Sequence, residues 1–283
     1  MAAAEVQRIG WARGLTAATD GRVVRMAAAK RGRPKLGAWA DSRDERVHRT
    51  ECRSTPGPQA PPLLKKPHQP AVPLGRVDWT QDLAYAVGLI ATDGCLTGRA
   101  ITFTSTDRQL VETFLACVGQ SVKIGVQIRP HRLPAYRAQL GNQILFNWLI
   151  SIGITQRKSL TIGAIAVPDA FLLSVVRGLL DGDGSVRNYW YTVPTGTRPY
   201  EALVALFHSA SRPHLEWLQQ ELARLHGFRG ALYRKRQHPN DLHVLKYATK
   251  EARRLLPLLY PDGAPCLARK ALVWTTYRDR ERS

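Results

Sequence analysis

Two acidic residues stand at matched places in this chain, and their surroundings define the chemistry open to them. Residues 86–94 read Ala86-Val87-Gly88-Leu89-Ile90-Ala91-Thr92-Asp93-Gly94, and residues 176–184 read Val176-Arg177-Gly178-Leu179-Leu180-Asp181-Gly182-Asp183-Gly184. Overlaid, Gly88 falls on Gly178, Leu89 on Leu179, Asp93 on Asp183 and Gly94 on Gly184, at a spacing of 90 residues. Self-similarity at that period marks an internal repeat of domain size. Each stretch reads as an apolar helix with a glycine at its middle and an aspartate near its C-terminus. A carboxylate there meets the negative end of the helix dipole, and the glycine after it can adopt the left-handed conformation that stops a helix. Two such carboxylates, brought together by packing the helices on each other, need a cation between them. That is a divalent-metal site in outline.

The elements that must position these acids repeat as well. In the first copy, Asp78 is placed to cap the motif helix with Gln81 as its capping-box partner. Leu83, Val87 and Ile90 recur at helical spacing, while Ala84 and Gly88 make a small-residue face for close approach of a second helix. Strand-like runs follow at 100–105, 122–129 and 136–140, with helices at 107–118 and 142–152 and one more short strand near residue 96. In the second copy Asp169 caps the motif helix. Strands are expected at 186–192, 202–207, 230–236 and 242–247, helices near 215–225 and 249–260, and a tail helix at 270–278. Each copy therefore reads α-β-β-α-β-β-α, with a longer first hairpin in the second.

The chain of 283 residues carries a net charge of +19 and a pI near 10.4. A globular protein this basic meets a polyanion, and nucleic acid is the usual one. Cys52, Cys95, Cys117 and Cys266 lie far apart without metal-ligand spacing, which argues against structural zinc and for a reducing compartment. No apolar run approaches a membrane span. Residues 1–77 differ from the rest: fifteen Lys and Arg face six Asp and Glu, and seven prolines crowd 54–73 as in a semi-rigid linker. They read as a disordered basic extension. Within it, Lys30-Arg31-Gly32-Arg33-Pro34-Lys35 resembles the core of an AT-hook, whose arginines enter the narrow minor groove of A·T-rich DNA. Two globular halves follow, 78–160 and 161–283.

The two motifs, the second spelled Arg177-Gly-Leu-Leu-Asp-Gly-Asp-Gly-Ser185, resemble the LAGLIDADG motif of homing endonucleases, in the version with two motifs on one chain. Motif one departs from the pattern in having Ala91 where an Asp is common. The resemblance implies an α/β (α+β) fold: two pseudo-symmetric αββαββα halves packed through their motif helices, with two antiparallel four-stranded sheets forming a saddle in the DNA major groove. It implies that Asp93 and Asp183, with Gly94 and Gly184 beside them, hold divalent metal (Mg²⁺ or Mn²⁺), and that each half cleaves one strand. It also implies a catalytic lysine at the end of each half's last strand. Lys246 fits in half two, but its counterpart by register is Gln139, so Arg137 substitutes or half one lacks the charge. Lys158 and Lys270 resemble basic positions that the family keeps after each half, and read either as phosphate contacts or solvated surface, or as catalytic groups.

Outward strand residues are of kinds that read DNA: Arg99, Thr102, Thr104, Lys123, Gln127, Arg129, Arg137 and Gln139 in the first half, and Arg187, Tyr189, Tyr191, Arg234, Arg236 and His243 in the second. The leading expectation is a monomeric, site-specific double-strand DNA endonuclease, intron-encoded or free-standing, in a bacterial or phage nucleoid or an organelle. The alternatives are an RNA maturase acting on a host intron and a catalytically decayed DNA-binding regulator.

Overall fold

The computed structural model describes residues 77–282, apart from 129, 132, 194, 195, 197 and 237–239. The basic extension with its AT-hook-like stretch, and Arg129, lie outside the described residues. The first half runs α1 (Gln81–Asp93), β1 (Gly94–Thr97), β2 (Ala100–Ser105), α2 (Arg108–Cys117), β3 (Gly125–Gln127), β4 (Ala135–Leu140) and α3 (Gln143–Ser151). The second half opens on a 3₁₀ turn (Asp169–Phe171) and continues through α4 (Leu172–Asp181), β5 (Ser185–Thr192), β6 (Pro199–Ser209), α5 (Arg212–His226), β7 (Ala231–Lys235), β8 (Leu242–Tyr247) and α6 (Thr249–Leu259). A last helix, α7 (Ala268–Arg282), follows.

Each half builds an antiparallel four-stranded sheet, in the orders β1-β2-β4-β3 and β5-β6-β8-β7. The registers superimpose: Thr102 pairs with Gln139 and Phe103 with Ala138, as Leu206 pairs with Lys246 and Phe207 with Leu245. One apolar core runs through both halves, taking Leu96, Ile101 and Phe103 from the first sheet and Val186, Leu203, Ala205 and Phe207 from the second. Because side chains alternate along a strand, these residues commit one face of each sheet to the core. The opposite faces are left open.

Local signals differ from expectation at four places. Thr80, not Asp78, caps α1, accepting from the Leu83 amide at 3.0 Å. Gln81 then reaches across to the second half, donating to the Ala170 carbonyl and accepting from Ser174 Oγ at 2.6 Å. Asp169 does not cap α4; it sits in the preceding 3₁₀ turn and pairs with Arg224 at 2.5 Å. The strand expected over 122–129 contracts to Gly125–Gln127, and β6 extends past its expected ends at both sides.

Two connecting segments cross between halves in reciprocal fashion. After α3, the Ile162 carbonyl accepts from Ser211 Oγ and the Gly163 carbonyl bonds His214 Nδ1, both at the start of α5. After α6, the Cys266 carbonyl accepts from Gln109 Nε2 and Arg269 pairs with Asp107, both at the start of α2. Each half is thus fastened by the segment that leaves the other.

Candidate active site and nucleic-acid interface

α1 and α4 are in contact at their glycines. A β-carbon on Gly88 would fall 2.2 Å from the Val175 carbonyl oxygen, and one on Gly178 2.2 Å from that of Tyr85. Only hydrogen fits at either position, so the two helices cross backbone against backbone. That crossing brings their C-terminal ends together, and with them the two acids.

Asp93 is the last residue of α1, whereas Asp183 lies two residues beyond the end of α4, in a turn. Burial, and then the charge of Asp183, push the Asp93 carboxyl up to about 6. Burial raises Asp183 as well, against the opposing pull of Lys158, Lys270 and His208. The charge of the exposed Asp183 raises the proton affinity of the half-buried Asp93, and the two carboxylates make a hard-oxygen donor set, the kind preferred by Mg²⁺ and Mn²⁺. In this respect the residues fit a divalent ion. Among the described residues no cluster of three or more His, Cys, Asp or Glu could hold a metal. Water or substrate phosphate would supply the remaining ligands.

Each acid lines its own cavity, and both halves contribute to each. Asp93 shares a space of about 320 Å³ with Thr104, Ser105 and Arg269. Asp183 shares one of about 530 Å³ with Arg187, His208, Ser209 and Lys235. His208 occupies the register position of Thr104, and its Nδ1 bonds the Asp183 carbonyl at 2.9 Å. The sequence pairs these two residues by position, but nothing in it marks the histidine as a neighbour of the acid.

Lys158 and Lys270 do not point at an outer phosphate-binding face, as their charge led one to expect. They are 6% and 5% exposed, and their ammonium groups close the ends of the motif helices. Lys270 Nζ donates to the carbonyls of Leu180, Asp181, Gly182 and Gly184 at 2.7–3.0 Å. Lys158 Nζ donates to Thr92 at 3.3 Å and Gly94 at 2.5 Å. The last four carbonyls of a helix have no partner within it, and these lysines bond Leu180 and Asp181 of α4 and Thr92 of α1, together with carbonyls just beyond the helix ends. Burial drags Lys270 down to about 8 despite nearby Asp181, Asp93 and Asp183. The Gly94 and Gly184 carbonyls, expected beside the acids at the metal, each accept from one of these ammonium groups.

Asp181, the acid that motif one replaces with Ala91, is 1% exposed and fully engaged. It accepts from Tyr85 Oη at 2.9 Å, Tyr260 Oη at 2.7 Å and the Leu267 amide at 2.7 Å. It is a structural acid joining α1, α4 and the segment before α7.

The open faces carry many of the expected contact residues. Strand pairing puts Gln127, Arg137, Gln139, Thr102 and Thr104 on the open face of the first sheet. Arg137 Nη2 donates to Gln139 Oε1 at 3.0 Å. Arg99 sits in the β1–β2 turn at φ 71°, and Lys123 is exposed ahead of β3. In the second sheet Arg187, Tyr189, Tyr191 and the half-buried Lys246 share the open face. Arg234 and His243 do not: they pair with each other on the opposite parity, and Arg234 bonds Asp241 at 3.2 Å. Tyr233 and Lys235 take the open positions of β7 instead. Arg236 is exposed just past the end of that strand.

Two αββαββα halves are joined through glycine-crossed helices, with Asp93 at the end of α1 and Asp183 two residues past the end of α4, the arrangement that the resemblance to two-motif LAGLIDADG proteins implies. No family model and no curated protein matches the chain. Among solved structures it is similar to the homing endonuclease I-WcaI bound to its DNA recognition sequence, at 10% identity and a TM-score of 0.48, over 70% of this chain and 88% of that one. It is similar to I-DmoI in complex with DNA and Ca at 14% identity and a TM-score of 0.45, over 69% and 97% of the two chains. It is also similar to full-length DUF199/WhiA from Thermatoga maritima at 14% identity and a TM-score of 0.45, over 72% of this chain. The chain spans 63% of that protein's length. At such low identity and TM-score, what this chain does has to be read from its own residues.

Proposed function

We propose that this protein is a monomeric, site-specific DNA endonuclease of the homing type, cleaving double-stranded DNA by metal-assisted phosphodiester hydrolysis. The observation that carries the reading is the convergence of Asp93 and Asp183 at the crossing of α1 and α4. Neither a structural role nor a purely DNA-binding role needs two neighbouring carboxylates held that way.

The surroundings support it. The eight strands contain a single acid, Glu201, which lies on the core-side parity and bonds Asn188 and Arg280. The strands therefore put no carboxylate on either open face; the first presents Thr102, Thr104, Gln127, Arg137 and Gln139, and the second Arg187, Lys235, Lys246 and tyrosines, side chains that can contact phosphates or bases.

Asp93 and Asp183 would hold the ion through carboxylate oxygens. When bound, a divalent metal supplies Lewis acidity toward the scissile phosphate and lowers the pKa of a bound water. Lys246 presents an ammonium on the open face of the second half, placed to neutralise phosphate charge. Lys158 and Lys270 hold the helix ends rigid, so that each carboxylate keeps its direction. In the first half Gln139 can donate a hydrogen bond at the place of Lys246 but offers no charge.

That asymmetry favours one alternative, a protein that binds without cutting both strands. The ammonium groups seated on the Gly94 and Gly184 carbonyls point the same way, since they reduce the donors left for a metal. The test is cleavage of a plasmid carrying the uninterrupted form of the gene's own locus. Linear product with Mg²⁺ and none in EDTA supports the endonuclease; tight binding with no cutting in any divalent metal supports the binder.

A further inference from the structure

The open faces of the two sheets differ in chemistry, position by position. Register places Leu206 where the first half has Thr102, and Val244 where it has Arg137. With Val204 and Leu242 these residues form a small apolar cluster separate from the main core. Val204, Leu206 and Val244 are 4%, 8% and 2% exposed, so they make the floor of this face. Around them stand tyrosines: Tyr189, Tyr191, Tyr200 and Tyr233, each 43–48% exposed. The rings of Tyr189 and Tyr191 lie 6.1 Å apart and those of Tyr191 and Tyr200 5.9 Å, a continuous aromatic row along the β5–β6 hairpin. A cavity of about 680 Å³ opens over the floor, lined among others by Arg187, Tyr189, Leu206, Tyr233 and Lys246. Arg187 in its lining is exposed, and Lys235 is exposed on the same face at the end of β7.

This is a poor surface for the edges of paired bases. In a duplex major groove nearly every base edge offers a hydrogen-bond donor or acceptor, the thymine methyl being the apolar exception. A floor of Val and Leu leaves those groups unpaired at a cost. Exposed tyrosines above an apolar floor, with cations at the margin, suit the faces of bases that are not stacked in a helix. The absence of carboxylates from the face completes the fit to a polyanion.

We propose that the open face of the second half binds unpaired nucleobases of a single-stranded stretch, stacking them on Tyr189, Tyr191, Tyr200 and Tyr233 while Arg187 and Lys235 hold the backbone. The first half, whose open face carries Thr102, Thr104, Gln127, Arg137 and Gln139, reads paired DNA. The inference rests on the reading that the ligand is nucleic acid. The strand is DNA if a locally opened target supplies it, and RNA if a transcript does.

The experiment measures fluorescence anisotropy of a labelled single-stranded DNA, an RNA of the same sequence and the matched DNA duplex, titrated in EDTA with the full chain and two variants. In Tyr200→Ala/Tyr233→Ala, affinity for at least one single strand falls about tenfold or more, as loss of a stacked base requires, and falls less for the duplex. In Tyr200→Phe/Tyr233→Phe the ring remains and affinity for that strand stays within about twofold. The better-bound strand identifies the source. A 2-aminopurine in that strand is quenched when the unaltered protein binds, which reports stacking without any substitution. Equal losses on strand and duplex, a Phe variant as weak as the Ala variant, or no quenching would each overturn the proposal. Duplex binding with no single-strand binding overturns it while leaving the proposed function standing. No binding of any of the three removes both.

Discussion

Gly88 and Gly178 lie backbone against backbone, each leaving room for only a hydrogen where α1 and α4 cross. A methyl at either place would meet a main-chain carbonyl, which no side-chain rotation can clear. Gly88→Ala should therefore push the helices apart and cost about 3 kcal/mol in urea unfolding, at the upper end of overpacking effects. It should also weaken any stabilisation by Mg²⁺, because Asp93 and Asp183 move apart with the helices. A variant as stable as the parent would show that the helices do not cross there.

Lys270 presents a second prediction, opposite to the surface role its charge implied. Lys270→Met keeps the length of the stem but leaves four carbonyls at the end of α4 without their shared donor. Removing one partner from a buried, charge-assisted set costs about 3 kcal/mol. Urea denaturation of Lys270→Met and of an exposed control, Lys123→Met, separates the two cases. The account requires a large loss for the first and almost none for the second.

Much of the fold is legible in the sequence because its signals are local. The 90-residue repeat, the helix-period apolar positions and the strand runs are short-range patterns. They place β2 and β8 at their observed bounds and match Gln139 with Lys246 correctly. What was not legible depended on tertiary placement. A lysine in a linker reads as solvated charge, and only packing shows Lys158 and Lys270 inside, on carbonyls. Arg234 looks like an outward strand residue, yet strand parity is settled by its pairing with His243, which puts it on the other face. Thr80 displaced Asp78 as the cap because both can fill that role and Gln81 was drawn away to Ala170 and Ser174. The apolar floor of the second open face hid for the same reason: only pairing shows that Val204, Leu206 and Val244 lie on the face opposite the main core.

The titration of Asp93 gives a pH prediction. Its folded carboxyl titrates at about 6, above the ordinary value near 4. The folded state then holds its proton more tightly than the unfolded state, so its contribution to stability is full below about pH 4 and is lost as pH rises to about 6. In EDTA the melting temperature should fall over that interval, and Asp93→Asn should flatten this part of the fall. A divalent ion competes for the same oxygens, so Mg²⁺ should raise the melting temperature at pH 7.5 and have little effect at pH 5. An equal rise at both values, or an equal rise in Asp93→Asn, would exclude Asp93 from the metal site.

Basic open faces make binding to duplex DNA strongly dependent on salt. With six or more phosphate contacts the logarithm of affinity should fall with that of salt concentration at a slope of roughly −5 or steeper. Arg187→Ala should reduce the slope by about one if Arg187 holds a phosphate. A nearly flat dependence would mean that the net charge of +19 is not engaged with phosphates.

The most direct test of the central claim compares the parent protein with Asp93→Asn and Asp183→Asn in Mg²⁺-dependent cutting of the target plasmid, with duplex binding measured alongside. The account predicts linear product from the parent, none from either variant, and undiminished binding by both. Nicked product alone from the parent, lost only in Asp183→Asn, would mean that the half lacking a lysine at Gln139 does not cut. Undiminished cutting by Asp183→Asn would contradict the account.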